Sequence, residues 1–154
     1  MLSQENLKKF ERLQKFYPTK KALTLPVLWM IQEQEGWISG KAMKFVAELL
    51  DVPVGEVYGV VTFYTMYNQQ PRGKYHLQIC TNVSCQLRGA NNLVAQACKK
   101  LCVKLNENTK DGRFTISEVE CLGSCGTAPM MQMNNDFVEN LTQERLGELL
   151  EELK

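Results

Sequence analysis

The chain has 154 residues, of which 44% are apolar and 23% charged, and its formal net charge is +1. Acidic and basic residues are interleaved, so the sequence lacks the basic block that nucleic-acid binding requires. No apolar run approaches the roughly 18 residues that span a bilayer, and the first residues lack the apolar region of a signal peptide. We therefore expect a soluble, cytoplasmic protein that inserts no segment into a membrane and reaches one only through a partner.

The first seventy residues predict four helices. Ser3 and Ser39 are each placed to cap a helix, because a serine hydroxyl can accept a hydrogen bond from the first turn. A proline after Tyr17 ends the first helix, since the residue before proline avoids the helical conformation. The expected helices run from Ser3 to Tyr17, from Thr19 to Gly36 with an interruption at Pro26, from Ser39 to Leu50, and from Pro53 to about Tyr67.

The pattern changes near residues 69–73, where Gln, Pro and Gly accumulate. We place a domain boundary there, between an N-terminal helical domain, residues 1–71, and a second domain, residues 72–154. The second domain is expected to contain strands at 74–80 and 113–120, a helix at 89–105, a hairpin built from 130–133 and 137–140, and a last helix capped by Thr142. The fold class is therefore α+β, a helical bundle followed by an α/β domain.

Four of the six cysteines form two pairs in similar contexts. Cys80 ends a predicted strand and Cys85 follows in the next loop; we call these two the first cysteine pair. Cys121 ends another predicted strand and Cys125 follows it; these form the second cysteine pair. If the two strands are neighbours in one sheet, both loops meet at one edge and four thiolates converge.

Four converging thiolates suit either tetrahedral zinc or an iron–sulfur cluster. Structural zinc usually takes its paired cysteines from short C-x2-C turns, whereas these pairs have the spacings C-x4-C and C-x3-C. A [2Fe–2S] cluster is longer than one ion and accepts wider loops, one pair for each iron. Small residues near Cys125, such as Gly123 and Gly126, would let backbone N–H groups approach the sulfurs. The spacing favours the cluster, with zinc and four buried, metal-free thiols as the alternatives.

The remaining cysteines, Cys98 and Cys102, lie four residues apart on the apolar face of a predicted helix. There a cysteine behaves as a small hydrophobic residue, so we expect both to pack in the core. His76 is the only histidine and lies mid-strand, and a Rieske-type site needs two histidines. We expect its ring to be hydrogen-bonded or solvated and not to bind metal.

The cysteine pairs and their neighbours resemble the thioredoxin-like [2Fe–2S] ferredoxins and, more closely, the E-type (24 kDa) subunit family of NADH:quinone oxidoreductase, respiratory complex I. In the second domain the matching residues are Cys80-Thr81-x3-Cys85, Leu87-Arg88-Gly89 and Cys121-Leu122-Gly123-Ser124-Cys125-x2-Ala128-Pro129. In the first domain they are Gly36-Trp37-Ile38, Val46-Ala47-Glu48-Leu49-Leu50, Val61-Thr62-Phe63-Tyr64 and Pro71-x-Gly73.

The resemblance implies a thioredoxin-like domain with one [2Fe–2S] cluster on Cys80, Cys85, Cys121 and Cys125. It implies docking on a flavin subunit that holds FMN and NADH, together with further iron–sulfur subunits, in a complex peripheral to the inner membrane. No catalytic residue is expected on this chain, and the isolated chain should not oxidise NADH. Similar small subunits serve NAD-linked hydrogenases and formate dehydrogenases, which are the alternative host complexes; a zinc-stapled, non-redox adaptor is a further alternative.

Overall fold

A computed structural model describes residues 2–153 and divides the chain into two compact units, Met1–Pro71 and Arg72–Lys154. Each unit has a buried hydrophobic core of its own. The first unit is helical, and the second contains a four-stranded mixed sheet with helices. The predicted α+β class is confirmed. Among residues 2–153, no helix is both long and apolar enough to cross a bilayer.

The first unit contains four helices: α1 (Gln4–Gln14), α2 (Thr24–Glu35), α3 (Gly40–Leu50) and α4 (Val54–Phe63). Both predicted serine caps are confirmed, because Ser3 Oγ accepts from the Asn6 N–H at 3.2 Å and Ser39 Oγ accepts from the Ala42 N–H at 3.0 Å. Gly36 ends α2 in the left-handed conformation, with φ of 80°. That conformation favours glycine, which has no Cβ to clash.

Two helix predictions for the first unit are wrong in detail. The expected helix from Thr19 is a short 3-10 turn, Lys20–Leu23, followed by α2. Pro26 does not interrupt α2, because it is the third residue of the helix, where an N–H has no intrahelical partner. The fourth helix ends at Phe63 and not near Tyr67, whose buried side chain instead donates from its hydroxyl to the Leu25 carbonyl at 2.9 Å.

The second unit carries the sheet, whose strand order is β2-β1-β3-β4. Its elements in chain order are β1 (Tyr75–Cys80), α5 (Val83–Leu87), α6 (Ala90–Leu101), β2 (Phe114–Val119), β3 (Met131–Met133), β4 (Asp136–Val138) and α7 (Gln143–Glu152). β1 and β2 are parallel, whereas β3 is antiparallel to both β1 and β4. The predicted hairpin is confirmed, as is the Thr142 cap of α7, which accepts from the Arg145 N–H at 3.1 Å.

The core of the second unit lies between one face of the sheet and the helices α6 and α7. The buried strand residues alternate along β1 and β2, as a half-buried strand requires. They are Leu77, Ile79, Phe114 and Ile116, and they pack with Leu93, Ala97, Leu146 and Leu150. Gly73 precedes β1, and a Cβ there would lie 2.7 Å from the Phe114 backbone carbon, so only glycine allows this approach.

The parallel register of β1 and β2 determines where the cysteines lie. Cys80, the last residue of β1, is paired with Val119, the last residue of β2. Two residues beyond Val119 the chain reaches Cys121. Both cysteine-bearing loops therefore start at the same edge of the sheet, as the sequence predicts.

The polar face of β1 carries His76, whose Nε2 lies 2.8 Å from the Ser117 hydroxyl. Ser117 in turn donates to Asn106 Oδ1 at 2.8 Å, so its oxygen accepts from the imidazole and the neutral ring is protonated on Nε2. Burial, with the charge of Arg72 as a second cause, lowers the pKa of His76 to about 4. The ring is thus neutral and hydrogen-bonded at neutral pH.

This pKa predicts a pH-dependent loss of stability. In the unfolded chain His76 takes up a proton near pH 6.5, whereas the folded state resists protonation down to about pH 4. The stabilisation is therefore complete above pH 6.5 and is lost as the pH falls from 6.5 towards 4, by about 3 kcal/mol. NMR titration is unambiguous because the chain has one histidine. A midpoint near 6.5 would contradict the buried hydrogen bond, and His76→Gln should flatten the pH dependence of the unfolding free energy in this window.

Candidate iron–sulfur site

The first cysteine pair lies where β1 passes into α5. Cys80 and Cys85 are each only 2% exposed. The prediction that Cys85 lies in a loop is wrong, because it is the third residue of the five-residue helix α5. Asn82 begins that helix by accepting from the Val83 N–H at 2.9 Å, and the Cys85 thiol is hydrogen-bonded to Cys80. The short helix thus turns Cys85 back towards the end of β1.

The second cysteine pair lies in the loop that follows β2. Cys121 and Cys125 are both exposed, and their sulfurs are 3.4 Å apart. The Gly123 N–H donates to the Cys121 sulfur at 3.4 Å. Gly123 has φ of 85°, a conformation that a side chain would strain, and this turn directs its N–H at the sulfur. The prediction that small residues here allow a backbone N–H to approach a sulfur is supported by this contact.

Contacts between the two loops make the cysteine pairs neighbours. The Ser84 hydroxyl hydrogen-bonds to Cys125, and Cys125 also interacts electrostatically with both Cys80 and Cys85. Arg88 adds a second connection, since its Nη1 donates to the Ala128 carbonyl at 3.2 Å. The structure therefore brings the four predicted ligands together as two adjacent pairs. Within residues 2–153, no three His, Cys, Asp or Glu side chains converge on a point that would hold a single metal ion.

Electrostatics distinguish the thiols. The hydrogen bond from the Gly123 N–H, and secondarily that from Cys125, lowers the pKa of Cys121. The Cys125 thiol is the donor in that pair, so its pKa is raised. Burial, followed by the hydrogen bond to Cys80, raises the pKa of Cys85, while a backbone hydrogen bond from Met130 acts in the opposite direction. Cys121 is therefore the thiol that forms a thiolate more readily, and a metal that binds here must displace protons from Cys85 and Cys125.

The other two cysteines lie outside this group of four. Cys98 is partly buried and packs against the core of the second unit, in line with its prediction. The prediction that Cys102 is a core residue is wrong, because Cys102 is exposed. The helix α6 ends at Leu101 and not near residue 105, and Cys102 caps it in the left-handed conformation with φ of 52°. The backbone reversal at Cys102 removes it from the apolar stripe.

Several residues that support the site escape prediction from the sequence. Asn82, Ser84 and Arg88 connect or shape the loops, yet only the cap signal of Asn82 is visible in a sequence. Glu139 accepts hydrogen bonds from the hydroxyls of Ser124 and Thr127, on either side of Cys125. It lies 14 positions from Cys125 along the chain, so only the hairpin geometry places it there.

The residues present fit an iron–sulfur cluster. Four thiols come together from two loops, two of them buried and two exposed, and backbone groups of Gly123 and Met130 are directed at sulfur. Thiolate ligands with N–H donors are what a cluster of net negative charge requires. Fold and site together define a thioredoxin-like protein with an iron–sulfur centre.

Comparison with known proteins gives the family. A model of the thioredoxin-like [2Fe-2S] ferredoxin family matches residues 10–154. An E-type subunit of NADH-quinone oxidoreductase, from Rickettsia conorii (strain ATCC VR-613 / Malish 7), is 44% identical over 97% of this chain and 92% of its own length. A second such relative, the E-type NADH-quinone oxidoreductase subunit numbered 2 from Rhizobium meliloti (strain 1021), is 41% identical over 90% of this chain and 82% of its own.

The chain therefore belongs to the thioredoxin-like [2Fe-2S] ferredoxin family and, within it, to the group of E-type NADH-quinone oxidoreductase subunits. This confirms the family resemblance and the [2Fe–2S] cofactor predicted from the cysteines. Among solved structures, a chain of an NAD+-reducing [NiFe]-hydrogenase in the air-oxidised state superposes with a TM-score of 0.72 at 20% identity. The match covers 82% of this chain but 22% of that longer chain, and it shows a shared fold alone.

Proposed function

We propose that this chain is the E-type electron-transfer subunit of an NADH-quinone oxidoreductase and that it holds one [2Fe–2S] cluster on Cys80, Cys85, Cys121 and Cys125. The observation that carries the proposal is the juxtaposition of the two cysteine pairs at one edge of the sheet. The E-type relatives support it along nearly the whole chain. The helical domain, residues 1–71, and the cluster domain, residues 72–154, are part of the same proposal.

The chemistry divides between the cluster and the chain. When bound, a [2Fe–2S] cluster accepts and releases one electron at a time. The chain supplies four thiolates, the Gly123 N–H to stabilise charge on sulfur, and burial of Cys80 and Cys85 to limit the access of water. The sequence contains no glycine-rich phosphate-binding motif, so we assign FMN and NADH to a partner. No residue of this chain has a catalytic role in the proposal.

The partner is a flavin subunit that must approach the cluster closely. Two apolar side chains on α5, Val83 and Leu87, are 62% and 83% exposed, and they lie one helical turn apart on the helix that carries Cys85. We assign this apolar surface to the docking of the flavin subunit, with the helical domain contributing further contacts. Further iron–sulfur subunits complete the assembly, which is cytoplasmic and peripheral to the inner membrane.

A second host complex has an observation in its favour. The fold is shared with a chain of an NAD+-reducing [NiFe]-hydrogenase. The alternative is therefore an equivalent small subunit of an NAD-linked hydrogenase. The cluster and its ligands are the same in both cases, and co-purification of the flavin partner with quinone-reducing or hydrogenase subunits separates the two.

Replacement of single cysteines by serine tests the ligand set. Serine at any of the four proposed positions should remove or alter the cluster, because each iron loses a thiolate. The iron content should fall well below about two atoms per chain, and the visible absorption should fade or shift. Cys98→Ser is the matched control and should retain both. A colourless Cys98→Ser protein with a normal fold, or a Cys125→Ser protein with an unchanged spectrum, would show that the ligand assignment is incorrect.

Replacement of Leu87 by aspartate tests the docking surface. A charge at this exposed position should leave the cluster intact but weaken capture of the flavin subunit at least about tenfold, since a buried, unpaired carboxylate is costly at an interface. The matched control is Ala95→Asp, an exposed position on α6 in the same unit. Co-purification of the flavin subunit, measured with both variants, gives the result. Equal capture by the two variants would place the docking surface elsewhere.

A further inference from the structure

Glu139 holds the loop of the second cysteine pair by side-chain hydrogen bonds. Its Oε1 accepts from the Thr127 hydroxyl at 2.6 Å and also from the Ser124 hydroxyl. The two hydroxyl oxygens are themselves 2.7 Å apart. One of these residues precedes Cys125 and the other follows it by two positions. The carboxylate therefore fixes the backbone on both sides of a proposed cluster ligand.

The backbone after Glu139 continues the same attachment. The Asn140 N–H donates to the Thr127 carbonyl at 2.7 Å, and the Leu141 N–H donates to the Pro129 carbonyl at 2.8 Å. Leu141 is 1% exposed and anchors this segment in the core. The segment from Glu139 to Leu141 thus runs alongside the loop of the second cysteine pair.

Position within the hairpin places Glu139 at the cluster end of the sheet. Val138 pairs with Met131, which in turn pairs with Ile79, the residue before Cys80. Asp136, at the other end of β4, pairs with Met133, which pairs with Leu77. Two carboxylates of one short strand segment therefore lie at different distances from the cysteines, and the nearer one, Glu139, is hydrogen-bonded to the loop.

We propose that Glu139 is a positioning residue for the [2Fe–2S] cluster, which holds the loop of Cys125 through Ser124 and Thr127 and places a fixed negative charge beside it. This inference rests on the proposed function. The hydrogen bonds to the two hydroxyls also lower the pKa of Glu139, so the carboxylate is ionised at neutral pH.

The two effects of Glu139 can be separated. The cluster with its four thiolates carries a net charge of about −2 that deepens on reduction, so a nearby carboxylate disfavours the reduced state. Glu139→Gln keeps an oxygen acceptor but removes the charge, and it should shift the reduction midpoint to a more positive potential. The combined change Ser124→Ala and Thr127→Val keeps the charge but removes the hydrogen bonds, and it should release iron to a chelator about tenfold faster.

The experiment uses the full-length protein with its cluster. Redox titration followed by EPR gives the midpoint and the g values of wild type, Glu139→Gln and the control Asp136→Asn, which makes the same change of charge farther along the strand. Iron release to EDTA is measured on the same proteins and on the Ser124/Thr127 double variant. We expect a positive midpoint shift that is larger in Glu139→Gln than in Asp136→Asn and that shrinks at high salt, together with faster release from the double variant.

The possible failures are distinct. Wild-type protein without a [2Fe–2S] signal would overturn the proposed function itself. A wild-type cluster with equal midpoints in Glu139→Gln and Asp136→Asn, and unchanged iron release from the double variant, would overturn the positioning role while leaving the proposed function intact. Since Glu139 is exposed, its replacement by Gln should not impair folding, and far-UV circular dichroism checks this.

Discussion

The parallel pairing of β1 with β2 is the constraint on which the site depends. Parallel strands end at the same edge of a sheet, and the register that pairs Cys80 with Val119 brings two loops together that are some forty residues apart in sequence. A slip of one residue would turn each side chain to the opposite face and separate the cysteine pairs. The alternating apolar residues that bury one face of the sheet against α6 and α7 therefore also maintain the positions of the ligands.

Around this edge, each loop contributes a different kind of support. The first loop folds into α5, which buries Cys85, while the second stays exposed and relies on the Gly123 turn and on Glu139 for its shape. The asymmetry suits an electron carrier, because one side of the centre is shielded and the other is open to a partner. Neighbouring charges and N–H donors, rather than the thiolates alone, then set how readily the centre is reduced.

The sequence was sufficient for the class of fold, the serine caps, the hairpin and the shared location of the cysteine pairs, because each has a local signal of spacing or periodicity. It was insufficient for α5, since a helix of five residues is too short to show a period. It misplaced Cys102, because α6 ends four residues early through a left-handed residue that is not glycine. The contact of Glu139 with the second loop depends on hairpin register and had no local signal.

The measurement that tests the central claim most directly is an EPR spectrum of the anaerobically purified, dithionite-reduced chain, with iron, zinc and acid-labile sulfide assayed on the same sample. The account predicts a rhombic or near-axial S = 1/2 signal, about two irons and two sulfides per chain, and no stoichiometric zinc. An EPR-silent sample with one zinc ion per chain would contradict it and would favour a non-redox adaptor.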